Sequence, residues 1–198
     1  MELREHTITL RQYPLVLRPL TEGDWDILLE WNNDPEVLYY AEGDDLSSRS
    51  LEEVQAIYRS VSQSAFCFII EESGQATGEC WLQRLNLDRL LRLYPNADCR
   101  RIDLSIGNKT LWGRGIDTAV IRLLTHFAFT HEHADFVFGC DVADYNLASQ
   151  KAFQKAGYQL HSTIPQAAGA KARFCLDFVL RRADFDRLMS DRKLPASP

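Results

Sequence analysis

An alternating run that stops at a glycine-punctuated loop and restarts as a long helix with an apolar stripe limits most how this chain can fold. Between Cys99 and Gly107, Ile102, Leu104 and Ile106 alternate with Arg101, Asp103 and Ser105, the period of two that predicts a half-buried strand. From about Gly115 to Thr130, Ile116, Val120, Leu123, Leu124 and Phe127 recur at the helical period. Between strand and helix lies Trp112-Gly113-Arg114-Gly115. Glycines let the backbone approach a ligand closely, and a helix start offers unpaired N–H groups and a positive dipole end, a seat for pyrophosphate. Arg114 adds a fixed positive charge. The spacing is neither GxGxxG nor GK[ST], which excludes the usual nucleotide-binding classes. Taken alone, the two glycines also fit a plain tight turn.

The rest of the chain supplies further strands and helices. Tyr13–Arg18 reads as a first strand. Thr21 predicts a capped helix start, followed by Trp25, Leu28, Leu29 and Asn32, and Pro35 opens a short helical piece through Tyr40. Ser50-Leu51-Glu52-Glu53 is another capping box, ahead of a stripe of Leu51, Val54, Ile57, Tyr58 and Val61. Strands are predicted at 65–71 and 77–86, with a hairpin turn at Ser73-Gly74-Gln75, and at 136–142, 158–164 and 172–180, with a helix over 146–156. Leu87 to Asp98 predicts a short amphipathic turn ending at Pro95. This order predicts one α/β (α+β) domain over residues 1–190, a mixed sheet flanked by helices, with a polar tail at 191–198.

Length and charge narrow the function classes. A chain of 198 residues suits one core. A net charge of -6 argues against nucleic acid, which needs a basic stripe, and suits a cationic small-molecule partner. Five cysteines, an odd number without a CxxC pair, read as reduced thiols of a cytoplasmic protein. No run approaches the roughly 18 apolar residues of a membrane span, and Met1-Glu2-Leu3-Arg4-Glu5 lacks a signal-peptide core, so no membrane contact is expected.

Downstream of the loop, Asn146-Leu147-Ala148-Ser149 through Lys155-Ala156-Gly157-Tyr158 is a second marked element. Together these segments resemble the GCN5-related N-acetyltransferase (GNAT) superfamily. Cys99–Gly107 matches its fourth strand, Trp112–Thr118 its pyrophosphate loop, and the later segment its N-x-x-S … K-x-G-[FY] pattern. Leu17-Arg18-Pro19-Leu20-Thr21 with Asp24 is similar to the family's opening, so the resemblance spans nearly the whole chain. It implies a mostly antiparallel sheet splayed between the family's strands 4 and 5, acetyl-CoA as co-substrate, and no metal. It further implies that backbone groups of Leu104 and Ile106 bond the pantetheine arm and the acetyl carbonyl. N–H groups of Gly113, Arg114, Gly115, Ile116, Asp117 and Thr118 would hold the pyrophosphate, Asn146 and Ser149 would lie along the pantetheine, and Lys151 would reach a phosphate. Chemistry agrees with this division. The attacking amine must be neutral, which needs a route for its proton, and the developing oxyanion needs a donor, which the Ile106 N–H supplies. Two positions depart from the family's pattern. Asp117 puts a carboxylate where glycine or alanine is usual, and Phe153 replaces the tyrosine that in many members protonates the departing thiolate. That leaves Ser149, water or no specific acid for the role.

Two branches of the superfamily compete over the acceptor. Arg101-Ile102-Asp103 is similar to the aminoglycoside 6'-N-acetyltransferases, where the aspartate binds and deprotonates the amine. Asp141 falls where they place a drug-binding carboxylate, and Glu30-Trp31 and Tyr39-Tyr40 match their EW and aromatic pair. This branch implies Asp103 as catalytic and Trp31, Tyr40, Trp81 and Asp141 as substrate-binding. The plain alternatives are an ion pair of Asp103 with Arg101 or Arg173, and a strand-end role for Asp141. Trp112-Gly113-Arg114-Gly115 and Phe153 are closer to the ribosomal-protein-type N-terminal acetyltransferases, which act on a protein α-amine. A third alternative is a non-catalytic acyl-CoA-binding sensor. Leu87 to Asp98 fits either an acceptor pocket or a homodimer contact.

Other chemistry-bearing residues are read plainly. His131-Glu132-His133 is a solvated helix end, since imidazoles at i and i+2 diverge and no third ligand is evident. Asp24 and Asp26 read as acidic surface, as do Asp44 and Asp45, which also suit the rim of a cationic substrate's entrance. Cys140 is read as a buried thiol rather than an acyl carrier.

Overall fold

A computed structural model describes residues 1–41 and 48–193; Asp44 and Asp45 lie outside the described residues. Strands β1 (Leu10–Gln12) and β2 (Leu15–Pro19) come first. A 3-10 turn at Glu22–Asp24 leads into α1 (Trp25–Trp31), followed by α2 (Pro35–Ala41) and α3 (Leu51–Ser62). Both predicted capping boxes form. The Thr21 hydroxyl accepts from Gly23 N–H at 3.4 Å while Thr21 N–H donates to Asp24 at 2.8 Å, and Ser50 and Glu53 exchange an equivalent pair. Asp24 is not acidic surface: it is 7% exposed, and Arg18 forks onto both of its oxygens at 2.9 and 2.7 Å.

Next come the hairpin β3 (Ala65–Glu72) and β4 (Gln75–Arg84), then α4 (Asp88–Leu91), β5 (Cys99–Ser105), α5 (Ile116–Thr130) and β6 (Phe136–Ala143). The chain continues through α6 (Leu147–Ala156), β7 (Gln159–Pro165), β8 (Phe174–Arg181) and α7 (Arg182–Lys193). One eight-stranded sheet runs β1-β2-β3-β4-β5-β6-β8-β7, and only the β5–β6 pair is parallel. This is the mixed, mostly antiparallel sheet that the sequence predicts.

Helices cover both faces. Val120, Ile121, Leu124 and Phe153 of α5 and α6, with Phe185 of α7, pack on Phe68, Ile70, Cys80, Leu82 and Ile102. On the opposite face, Leu28 of α1 and Val54 and Tyr58 of α3 meet Cys67 and Ile69. Side chains as fully buried as Leu28 and Val54 each contribute about 1.5–3 kcal/mol. The 87–98 segment docks through Leu90 on Cys99, Phe138 and Cys140, and the Tyr94 ring lies tilted against Phe136 at 4.5 Å.

One irregularity shapes everything that follows. β5 pairs with β6 only from Cys99 to Arg101, against Phe136 to Phe138. Just beyond, the β6–β8 register shifts between Gly139 and Val142, and Asp141 adopts left-handed backbone at φ 56°. A bulge bends the strand that carries it, so β6 turns away and the sheet opens into a wedge. The bulge is pinned from beneath: Asp141 N–H donates to Asp177 at 3.1 Å, and Arg89 of α4 donates to Asp177 at 2.8 Å and to Asp141 at 2.7 Å. Asp177 is 0% exposed, and the Ser162 hydroxyl, at 2.8 Å, completes its shell.

Candidate active site

The wedge decides which backbone groups β5 presents. Leu85 N–H donates to the Cys99 carbonyl at 2.9 Å, which sets odd-numbered residues of β5 in the ladder with β4. By alternation, Leu104 and Ile106 turn their N–H and C=O groups toward the gap, where β6 has already diverged. A cavity of about 390 Å³ lies there. Its walls are Leu104, Ser105 and Ile106 on one side, Tyr145 to Ser149 and Ala152 on the other, Trp112, Gly113, Ile116 and Asp117 at the loop, and Val37, Tyr40 and Ala41 from α2.

The loop is tied to the strand end by Trp112, whose Nε1–H donates to the Ile106 carbonyl at 2.7 Å. Gly113 and Gly115 have φ of 73° and 81°, and a Cβ at either would meet nothing within 4 Å, so backbone faces open space. Gly115 is the N-cap of α5, whose first-turn N–H groups have no intrahelical acceptor. Asp117 turns inward rather than outward: it lines the cavity and accepts Thr118 N–H at 2.7 Å, so that donor is already engaged. Thr118 is buried and Arg114 exposed, and neither lines the cavity.

Across the gap, Asn146 has two jobs. Its Oδ1 caps α6 by accepting Ser149 N–H at 3.1 Å, and its Nδ2 donates to the Tyr40 carbonyl at 3.2 Å. Ser149 lines the cavity, and among the described residues its hydroxyl has no hydrogen-bond partner. Lys151 is exposed and outside the cavity. Phe153 faces the core, stacked on Phe178 at 5.9 Å and seated against Gly139, where a Cβ would overlap its ring.

Asp103 pairs with Trp81 of β4 and so shares its face of the sheet. Asp103 accepts from Trp81 Nε1–H at 2.9 Å, from Gln83 at 3.2 Å and from Arg101 Nε at 2.8 Å, with a second Arg101 contact on its other oxygen. Its side chain is 21% exposed and lines neither cavity, and the ion pair with Arg101 is formed. Asp141 is likewise ion-paired, to Arg89, and lies outside both cavities.

A smaller cavity of about 50 Å³ on this face includes Trp31, Tyr58, Glu79, Trp81 and Arg49 in its lining. It shares Val37, Ala41 and Ser105 with the larger one, so the two adjoin around the end of β5. Gly107 makes room for Trp31, whose indole a Cβ there would overlap. Glu79, only 6% exposed, is a site residue that sequence reasoning passed over. Burial first, then the Glu79 charge, pushes the Tyr58 hydroxyl well above its usual range and the Cys67 thiol up to about 12. The burial of Glu79 comes from cover by other elements, which no pattern within β4 encodes.

Burial, then Asp177, likewise pushes the Cys140 thiol well up, which keeps it protonated. His131 is the C-cap of α5. Among the described residues no cluster of three metal-ligating side chains forms, and no helix is long and apolar enough to cross a membrane.

Comparison with known proteins gives the same picture. The family model for the acetyltransferase (GNAT) domain matches residues 14–159. An aminoglycoside acetyltransferase, AAC(6')-Ib, solved with ribostamycin and coenzyme A, superposes with a TM-score of 0.74 at 23% identity, over 89% of this chain and 98% of that one. A spermidine N-acetyltransferase from Vibrio cholerae, in complex with CoA and spermine, gives 0.72 at 16% identity, over 88% and 99%. An uncharacterised protein from Bacillus halodurans gives 0.74 at 16%, over 96% and 97%. At these identities the three structures share the fold.

Proposed function

The chain belongs to the GNAT acetyltransferase family, and we propose that it transfers an acetyl group from acetyl-CoA to a primary amine of a small polycationic acceptor of the aminoglycoside type. The observation that carries this reading is the cavity between β5 and α6, with gap-facing backbone along one wall and a glycine-opened helix start at its end. These residues fit the coenzyme. Leu104 and Ile106 offer a strand edge to the amides of pantetheine, and nothing lies within 4 Å of a Cβ at Gly113 or Gly115, where the diphosphate would rest. Among the described lining residues, Asp117 is the carboxylate that opposes an anion there.

Bound acetyl-CoA supplies an activated acyl group; the chain's residues position the partners and move protons. The Ile106 N–H donates to the acyl oxygen as charge develops on it. Ser149 lies along the same cavity, where its hydroxyl would donate a hydrogen bond to the sulfur as it departs as a thiolate, to be protonated by water. The amine enters by the smaller cavity between Trp31 and Trp81, where Glu79 takes its proton. Asp103, engaged by Arg101, Gln83 and Trp81, orients the Trp81 indole instead.

A thiol-release assay with acetyl-CoA against kanamycin, spermidine and N-terminal peptides tests the proposal. Turnover with kanamycin is expected. Turnover with peptides alone would transfer the chain to the α-amine branch, and coenzyme binding without thiol release on any amine would make it a sensor.

A further inference from the structure

A lysine ammonium sits on aromatic faces beside the cavity mouth. Lys171, in the connection between β7 and β8, places its Nζ 3.1 Å from the Tyr39 ring centroid and 5.2 Å from that of Tyr145. The same Nζ donates to the Tyr39 carbonyl at 3.5 Å. The two rings lie 5.2 Å apart, and Tyr39 is 42% exposed. Among the described residues, two aromatic faces and one carbonyl surround this charge and no carboxylate pairs with it; aromatic faces with a carbonyl are a combination that recognises ammonium groups in general. The cage borders the reaction cavity: Tyr145 and Tyr40 line that cavity, the Tyr145 hydroxyl donates to the Tyr39 carbonyl at 3.1 Å, and Asn146 donates to the Tyr40 carbonyl.

We propose that Tyr39 and Tyr145 form a second ammonium site, which takes a cationic group of the acceptor remote from the amine being acetylated, and that Lys171 fills it as an internal stand-in. This deepens the function proposed above and rests on it. A polycationic acceptor displaces Lys171 and gains a second anchor; a monoamine reaches only the reacting end. Lys171 is therefore a competitor whose removal favours acceptors with two or more ammonium groups.

Titration calorimetry with spermidine and with butylamine reads this directly, on the full-length chain and its K171M, Y39A and Y39F variants. In K171M the ratio of spermidine to butylamine affinity should rise about two- to fivefold, from the strength of an exposed cation–π contact. In Y39A it should fall by a similar factor, and Y39F, which keeps the ring, should match the parent. An unchanged ratio in K171M, a falling one, or equal losses in Y39A and Y39F would overturn the proposal, as would no spermidine binding at all. Thiol release from butylamine with unchanged ratios sinks this site and leaves the transferase standing. A cage that responds as described without thiol release on any amine sinks the transferase alone.

Discussion

Replacing Gly113 by alanine adds one methyl group to a residue at φ 73° whose Cβ position meets nothing within 4 Å. Left-handed backbone costs an L-residue about 1–2 kcal/mol. With no clash to add, that strain is the whole folding penalty, and for a chain of this size it lowers Tm by roughly 2–8 °C. Coenzyme binding should suffer more. The methyl group enters the open end of the cavity and keeps the diphosphate off the loop amides, and one lost hydrogen bond to a charged group costs about 1.5–3 kcal/mol, or roughly 10- to 150-fold in Kd. Gly74→Ala is the matched control: Gly74 has φ 80° and the same empty surroundings, but sits in the β3–β4 turn. Thermal melts of the two variants should nearly coincide, while calorimetry with coenzyme A should separate them. Equal Kd values for the two, or a parent-like Kd for Gly113→Ala, would refute the phosphate cradle.

Glu79→Gln should reduce kcat about 10²- to 10⁴-fold, the usual worth of a proton acceptor, with Asp103→Asn milder; the reverse order would return the base to Asp103. Asp117→Asn keeps an acceptor for Thr118 N–H while removing a charge from the cavity, so coenzyme Kd should tighten roughly 3- to 10-fold at low salt and less at high salt. An unchanged Kd would mean that the carboxylate never meets the phosphates. Burial pushes Cys67 up to about 12 and Cys99 to about 11, and Cys80 and Cys140 also well up, so iodoacetamide at pH 8 should label native protein at Cys175 at most, and mass spectrometry finding modified Cys140 would contradict this. Burial holds His6 below 6.5 beside the Cys67 carbonyl, so the unfolded chain takes up its proton first. The stability due to His6 is thus present above pH 6.5 and lost as pH falls through the lower folded value; denaturant titrations of His6→Phe should show a shallower acid slope, and an equal slope would dismiss the assignment.

What could be read in advance is what a local period encodes. β5 and α5 carry their patterns within their own residues, and the Ser50–Glu53 box needs only four positions, so the loop between β5 and α5 was legible too. Arg101 and Asp103, two apart on one strand, share a face by geometry, which is why their ion pair was readable as the plain alternative. The wedge was legible only through the family resemblance, which implies a sheet splayed between strands 4 and 5; no local pattern encodes it, because it depends on Asp141 finding Asp177, 36 positions later, and on Arg89 from a segment with little pattern of its own. Burial hid two carboxylates for the same reason: Asp24 is read as surface until Arg18 is seen beside it, and Glu79 draws no reading until its burial in the folded chain is seen. β1 is too short to alternate visibly, and in α7 charged residues outnumber the Phe185, Leu188 and Met189 that dock it.

The pinned bulge at Asp141 has an energetic corollary. Had β5 and β6 zipped together along their full length, each arriving coenzyme would have to prise apart a row of backbone bonds, each worth about 0.5–1.5 kcal/mol net. Here that separation is settled once, as the polypeptide folds, by a carboxylate and a guanidinium on the underside of the sheet. The groove is standing before its occupant comes, so admission calls for rearranged side chains and displaced water, with no strand to peel.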